Sequence, residues 1–225
     1  MKIERIITLE SVDSTNSYIK NIPDCPVCVR ALSQSAGRGR LGRSFLSPYG
    51  GLYFSVRIRD LPGRELIPAA AAIAVARCIP GSSIKWPNDI LLGGKKVCGI
   101  LCQSSSADLD IIIGIGINVS SAPLECACCT GGDADELFSA VLRQLENTVS
   151  MLEEGNTSAL LACYRAVLAT RNVPVRVAVE GSEICGMALG VDDCGALLVR
   201  TDNGLYHVSS GEATLIKNTS ETEGK

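Results

Sequence analysis

Aromatic side chains are scarce in this sequence: Phe, Trp and Tyr make up 4% of it, with one Trp (Trp86) and one His (His207). So few aromatics supply no stacking ladder for single-stranded nucleic acid. With one histidine there is no convincing Ser–His or Cys–His pair for nucleophilic catalysis. Positive charge is not in excess either. Lys and Arg number 21 against 24 Asp and Glu, for a formal net charge of -3 and a pI of about 5.3. A domain that lives on duplex nucleic acid is usually basic, so any basic patch must be local. Long apolar runs are also missing: the most apolar, Leu66 to Ile79, contains Arg77 and is too short to cross a bilayer. The opening "MKIERIITLE" alternates charged and apolar residues and lacks the apolar core of a signal peptide. These absences lead to the expectation of a cytoplasmic protein without a membrane segment.

What is present suits a globular chain. Hydrophobic residues account for 46% and charged residues for 20% of 225 residues, enough for a real core in one large domain or a domain plus a small module. Eleven cysteines stand out. Cys25/Cys28 and Cys126/Cys129 each have C-x-x-C spacing, and together they could offer four thiolates to zinc. The preferred reading is small apolar filler in a reducing compartment, because Cys78, Cys98, Cys102 and Cys163 sit inside apolar segments and neither pair has Gly or His in a tight knuckle. "CPVCVRALSQ" runs into a strand pattern, which argues against thioredoxin-type chemistry.

Periodicity gives the element order. "IERIITLE" alternates as a strand, and "SVDSTNSYIK" follows as a short helix with Asp13, Ser14 and Thr15 as caps. "VCVRALSQ" and "GLYFSVRI" are strands, and residues 65–79 form a buried Ala-rich helix. "SIKWPNDILL", "KKVCGILCQ" and "LDIIIGIGINVS" read as three strands, the first two turning at Gly93-Gly94. Helices are expected over 133–154 and 157–170, with an apolar stripe of Leu137, Val141, Leu145, Thr148 and Leu152 on the first. After Asn172 the pattern changes to short strands, "VPVRVAV", "EICGMALGV", "ALLVRT" and "LYHVSS", which suggest a small barrel docked on the main domain. The polar tail from residue 218 to 225 is expected to be disordered.

The stretch "SQSAGRGRLGR", residues 33–43, carries G-x-G-x-x-G spacing with Arg38, Arg40 and Arg43 in the gaps. A dinucleotide fingerprint needs a helix after its glycines; here "SPYGG" and a strand follow. Nucleic acid suits the arginines, but the chain is acidic and aromatic-poor. A small anionic ligand remains, with glycines letting backbone N–H groups approach and arginines pairing with carboxylate or phosphate. A solvated mobile turn stays open on these residues alone.

Further along stand "KWPNDILLGGKKVCGIL" and "GIGINV". With "DSTN" and "QSAGRGRLGR", in that order, they resemble the biotin–protein ligases, and the resemblance runs from the first strand to "GEATLI". It implies an α/β (α+β) fold: a catalytic domain like the class II aminoacyl-tRNA synthetase core, with a mixed sheet and flanking helices, over residues 1–170. An SH3-like β-barrel over 171–217 would follow. It also implies roles. Ser14, Thr15, Asn16 and Gln34 would meet biotin, and Arg38, Gly39 and Arg40 would cover biotin and its adenylate. Lys96 would reach the activated carboxylate and phosphate, and Asp89 would assist deprotonation of the incoming lysine. Arg43, Asn88 and Asn118 would lie near ATP, with Phe45 covering adenine where many relatives carry Trp. Without the resemblance, Ser14 and Thr15 read as caps, "WPND" as a turn, and Gly114 and Gly116 as relief of crowding in a strand.

The implied reaction is attachment of biotin to a lysine of a biotin carboxyl carrier protein through biotinyl-5′-AMP, with ATP and biotin as substrates and Mg2+ on the departing pyrophosphate. Such chemistry asks the protein for positioning and charge neutralisation rather than its own nucleophile. Gln103 stands where an acid is frequent and Ser210 where Gly is usual. The metal ligands stay open. The first strand begins by Ile3, which leaves the expectation of no operator-binding domain and no DNA partner. A homodimer stays open, as do two rival functions: a lipoate or octanoate ligase of related fold, and a non-catalytic biotin-sensing module.

Overall fold

The computed structural model describes residues 1–104, 110–122, 127–179 and 181–216. Strands β1 (Ile6–Val12), β2 (Val27–Gln34), β3 (Gly51–Ile58), β4 (Ser82–Lys85), β5 (Asp89–Leu92), β6 (Lys95–Ser104) and β7 (Ile111–Asn118) form one sheet in the order β1-β2-β3-β7-β6-β5-β4. The β1–β2 pair is parallel and every other pair antiparallel, so the sheet is mixed. Its centre is β3 against β7, and every residue of both strands is buried. That explains the long isoleucine run in β7: a strand covered on both faces has no solvent side to alternate with.

Helices α2 (Ile67–Cys78), α3 (Ala134–Glu153) and α4 (Thr157–Ala166) stack on one face. Alanines let α2 lie close to the sheet while α3 and α4 pack behind it. Asp133 starts α3, its carboxylate accepting the N–H groups of Asp135 (2.7 Å) and Glu136 (2.9 Å). Those bonds hold its carboxyl below the usual carboxylate range. Val141, Leu145, Thr148 and Leu152 are buried along the expected stripe. The other face carries the short helix α1 (Thr15–Tyr18) and the loop 35–47. Ile19, Val27, Val29 and Ile112 form a second, smaller core under α1.

Two segments differ from the pattern reading. "SIKWPNDILL" is two strands, β4 and β5, paired in an antiparallel hairpin closed by Trp86-Pro87-Asn88, with the Trp86–Pro87 bond cis. The proline supplies no N–H for a ladder, and the chain reverses there. The helix expected over 157–170 stops at Ala166, because Val167 and Ala169 take up the backbone of Ile84 on the outer strand β4 instead. Ser14 precedes α1 but its side chain makes no capping bond.

The C-terminal strands β8 (Val173–Val179), β9 (Ser182–Val191), β10 (Leu197–Thr201), β11 (Gly204–Val208) and β12 (Glu212–Leu215) form an antiparallel sheet in the order β11-β10-β9-β8-β12. The last strand was not separated in the sequence pattern. Val175, Val177, Ala188, Leu197, Val199 and Ala213 are buried here and belong to the same core cluster as the large sheet. Trp86 ties the two together: its ring N–H donates to the Gly195 carbonyl at 3.0 Å. The tail from residue 218 lies outside the described residues.

Candidate active site

Above the β3–β7–β6 surface lies a pocket. Ser14, Thr15, Asn16, Gln34, Arg38, Gly39, Arg40, Arg43, Phe45, Asn88, Asp89 and Lys96 all line it, so the structure brings together nearly every residue singled out in the sequence. Glu212 of β12 closes one side. Asn118 is not in the lining. It is buried at the end of β7, and its Oδ1 has no hydrogen-bond partner among the described residues.

The floor at the α1 end is a polar network set in an apolar sheet. Thr15 N–H donates to Gln34 Oε1 at 2.9 Å, and Gln34 Nε2 donates to Ser47 Oγ at 2.8 Å. Asn16 Nδ2 donates to Gln103 Oε1 at 3.1 Å, and Ser55 Oγ lies 2.5 Å from Asn16 Oδ1. Ser14, Thr15 and Asn16 are all buried, and bonding of this completeness is what makes burial of polar groups tolerable.

Glycines on β6 and β7 shape this floor. A Cβ on Gly114 would stand 2.2 Å from Asn16 Oδ1, and one on Gly116 would stand 2.5 Å from the Phe45 ring. Gly99 and Gly116 are cross-strand partners, and together they make a flat patch on which Phe45 rests. From sequence alone Gly114 and Gly116 read as relief of strand crowding; in the fold they are sockets for Asn16 and Phe45. Ser55, Ser47 and Glu212 were not singled out. Ser55 did carry a signal, being a hydroxyl inside the fully buried strand "GLYFSVRI".

Charge gathers at the other end. Lys96 Nζ sits 2.7 Å from Asp89 Oδ1 and 5.8 Å from the centre of the Phe45 ring. Lys85 approaches the same aspartate at 3.8 Å. Register explains the meeting: Asp89 begins β5 and Lys96 lies on the paired strand β6, beside a register shift between Ile90 and Leu91. Lys95, its neighbour in sequence, is exposed. Arg40 donates from Nη1 to Asn88 Oδ1 at 3.2 Å. Burial lowers the pKa of Arg40, while Asp89 and Glu212 act to support its charge.

The loop over the pocket is an ordered hairpin. Gly37 O accepts from Phe45 N–H at 2.8 Å, and Gly39 N–H donates to Arg43 O at 2.7 Å. Its tip, Arg40-Leu41-Gly42, turns through left-handed backbone at Leu41 (φ 53°) and Gly42 (φ 73°). A leucine there costs about 1 kcal/mol relative to ordinary backbone. Arg43 reaches over to the small sheet and pairs with both carboxylate oxygens of Glu212, at 2.6 and 2.5 Å.

Cysteine chemistry finds no support near this pocket. Cys98 is wholly buried and its thiol is pushed up by that burial; Cys102 is pushed up to about 12 for the same reason, against the pull of Arg40. Cys28 lies inside β2, likewise raised to about 12 by burial. Cys126, one member of the four-thiolate set, lies outside the described residues. Among those described, no group of three or more His, Cys, Asp or Glu side chains could hold a metal ion. His207 pairs with Asp192 at 2.8 Å in the small sheet and is absent from the pocket lining. Among the described residues no helix is long and apolar enough to cross a membrane.

Comparison with known proteins agrees with this geometry. Residues 8–118 match the Biotin/lipoate A/B protein ligase family, and residues 171–215 match the Biotin protein ligase C terminal domain. The chain is 30% identical over 237 residues to the bifunctional ligase/repressor BirA of Escherichia coli, covering 93% of this chain and 74% of that protein. It is also 30% identical over 214 residues to the biotin–[acetyl-CoA-carboxylase] ligase of Mycobacterium tuberculosis, covering 85% and 79%. The structure of biotin protein ligase from Aquifex aeolicus in complex with biotin and ATP superposes with a TM-score of 0.83 at 28% identity, over 96% of this chain and 100% of that one. From the polar floor to the small C-terminal sheet, the chain therefore belongs to the biotin/lipoate A/B protein ligase family, as a member of its biotin protein ligases.

Proposed function

We propose that this protein uses ATP to join biotin to a lysine of a carboxylase carrier protein, through biotinyl-5′-AMP. The observation that carries the reading is the pocket's division into a buried hydrogen-bonding floor and a cationic end, with Lys96 and Arg40 close to the junction. A cyclic urea with two N–H groups and a carbonyl suits the floor of Thr15, Asn16 and Gln34, with Ser14 beside them. A dithiolane ring has no such groups and would leave buried polar atoms unpaired, which disfavours lipoate or octanoate.

In this reading the acid's carboxylate points toward Lys96 and Arg38-Gly39-Arg40. One carboxylate oxygen attacks the α-phosphorus of ATP, forming the acyl–phosphate bond and expelling pyrophosphate. The two anions would repel one another in water; Lys96 and Arg40, partly shielded from solvent, offset that repulsion where it peaks. Arg43 serves the phosphates once it leaves Glu212. Phe45 covers adenine, Asn88 holds Arg40 in place, and the unpartnered Oδ1 of Asn118 offers an acceptor for a nucleotide donor. In the second step the carrier's lysine amine attacks the acyl carbon, AMP leaves, and Asp89 takes the amine's proton as Lys96 shifts to the departing phosphate.

Magnesium belongs to the nucleotide in this scheme. The pocket's carboxylates, Asp89 and Glu212, each pair with a cation, and the ion would arrive on the phosphates of ATP as part of the substrate. Residues 1–170 supply the catalytic surface, and the sheet that follows contributes Glu212 and the support of Trp86.

Exchange of radiolabelled pyrophosphate into ATP tests the proposal. Exchange is expected with biotin and not with lipoate, followed by biotin transfer to a purified carrier domain. Absence of exchange with either acid would overturn the ligase assignment and favour a binding module without turnover.

A further inference from the structure

Ser55 is the buried hydroxyl at the centre of the floor, fully enclosed on β3. Its register partner on β7 is Gly114, the residue whose missing side chain leaves room for Asn16. Serine on one strand and glycine on the next therefore form a socket for the asparagine amide. Ser55 Oγ lies 2.5 Å from Asn16 Oδ1 and 2.7 Å from Thr15 Oγ1. A serine hydroxyl has one proton, so it cannot donate to both.

Counting protons decides which way the chain of bonds runs. The Leu101 carbonyl can only accept, and it faces Asn16 Nδ2 at 3.4 Å, as does Gln103 Oε1 at 3.1 Å. The other atom of that amide, facing Ser55, is therefore the oxygen. At 2.5 Å Ser55 must donate to it. The 2.7 Å contact between Ser55 and Thr15 must then carry the threonine's proton. A rival acceptor for that proton, Gln34 Oε1, is farther away at 3.1 Å and already receives Thr15 N–H at 2.9 Å. Thr15, which lines the pocket, is left with lone pairs alone on its Oγ1.

We propose that Ser55 is a positioning residue that fixes Thr15 as a hydrogen-bond acceptor and so selects acids whose head group carries an N–H, through the relay Thr15→Ser55→Asn16. The inference rests on the biotin reading above. It adds that the pocket's preference for a urea nitrogen is set behind the pocket wall, by a residue out of reach of ligand. Without Ser55, Asn16 Oδ1 loses that donor and the threonine proton has only the longer Gln34 Oε1 contact, at 3.1 Å, to hold it away from the ligand.

The test is pyrophosphate exchange by the full chain with biotin and with biotin methylated at each ureido nitrogen in turn. In the native protein, one of the two methylated acids should exchange with a KM at least about tenfold above that of biotin. In Ser55→Ala the KM for biotin should rise about tenfold and that preference should narrow by a similar factor. The KM for ATP and the kcat at saturating biotin should stay within about twofold, because no ligand atom touches Ser55. Ser55→Cys, a little larger and with a weaker donor, should fall between, and it carries the test if the alanine variant does not fold. A merely structural serine would shift ATP and biotin alike and leave the methyl preference intact, and that result would overturn the proposal. An unchanged biotin KM in Ser55→Ala would overturn it too, while leaving the ligase reading standing. If the native protein showed no biotin-dependent exchange, both would fall.

Discussion

The two ends of the pocket are built from different materials. The floor is polar side chains on strands and on α1, and Thr15, Asn16 and Ser55 in it are buried and each make two or more hydrogen bonds. The cationic end is long side chains, three of them on a hairpin loop; Lys96 and Arg43 are held by ion pairs and Arg40 by a hydrogen bond, contacts that a ligand's anions can replace. Recognition of a neutral ring needs fixed directions and gains from rigidity. Handling of a carboxylate, a triphosphate and then a leaving AMP needs charges that can change partners within one turnover. The difference lies in what each end loses when perturbed: the floor loses geometry, the cationic end loses charge.

Substitutions can sharpen that contrast. The largest effect is expected from Lys96→Ala, which removes the cation nearest the junction and leaves Asp89 with only the more distant Lys85. Single-turnover adenylation should slow by roughly 10²–10³-fold with little change in thermal stability. A rate equal to that of the native protein would make Lys96 an ordinary surface lysine. Gly114→Ala comes next. Its new Cβ would displace Asn16, and a misplacement of that size should raise the KM for biotin by roughly 10- to 100-fold while sparing ATP. Unchanged biotin binding would show that the floor can yield, and the contrast between rigid and yielding ends would fail. The smallest effect belongs to Arg40→Ala. Losing one charged hydrogen bond to the intermediate should speed release of free biotinyl-AMP by about tenfold, measured by trapping the released adenylate. Release at the native rate would remove the loop's retaining role.

How far these ends could be read from sequence also differs. The strands of the large sheet were visible because alternation and glycine turns are local signals. The reversal at Trp86-Pro87 was missed because "SIKWPNDILL" has the apolar content of one strand, and only the cis bond and the Lys85–Asp89 pairing show two. The arginine loop was visible as chemistry, since glycine and arginine advertise an anion whatever surrounds them. Thr15 and Asn16 were not: alone, Ser14 and Thr15 read as helix caps, and the placing of Thr15 and Asn16 depends on Ser55 and Gly114, which the sheet brings in from far along the chain. Asp89 and Lys96 stand on adjoining strands, and which of two successive lysines faces the aspartate is a matter of register that no local pattern carries.

The pair between Arg43 and Glu212 has a consequence for the order of synthesis. A nascent chain that has emerged through β7 already contains the floor, the lysine and the loop. It lacks the carboxylate that Arg43 grips and the Gly195 carbonyl that steadies Trp86. Domains generally fold as units during synthesis, N-terminal first. Here the earlier unit is unfinished at its cationic end until the later one arrives, and the pocket's lining is complete only once β12 has been made.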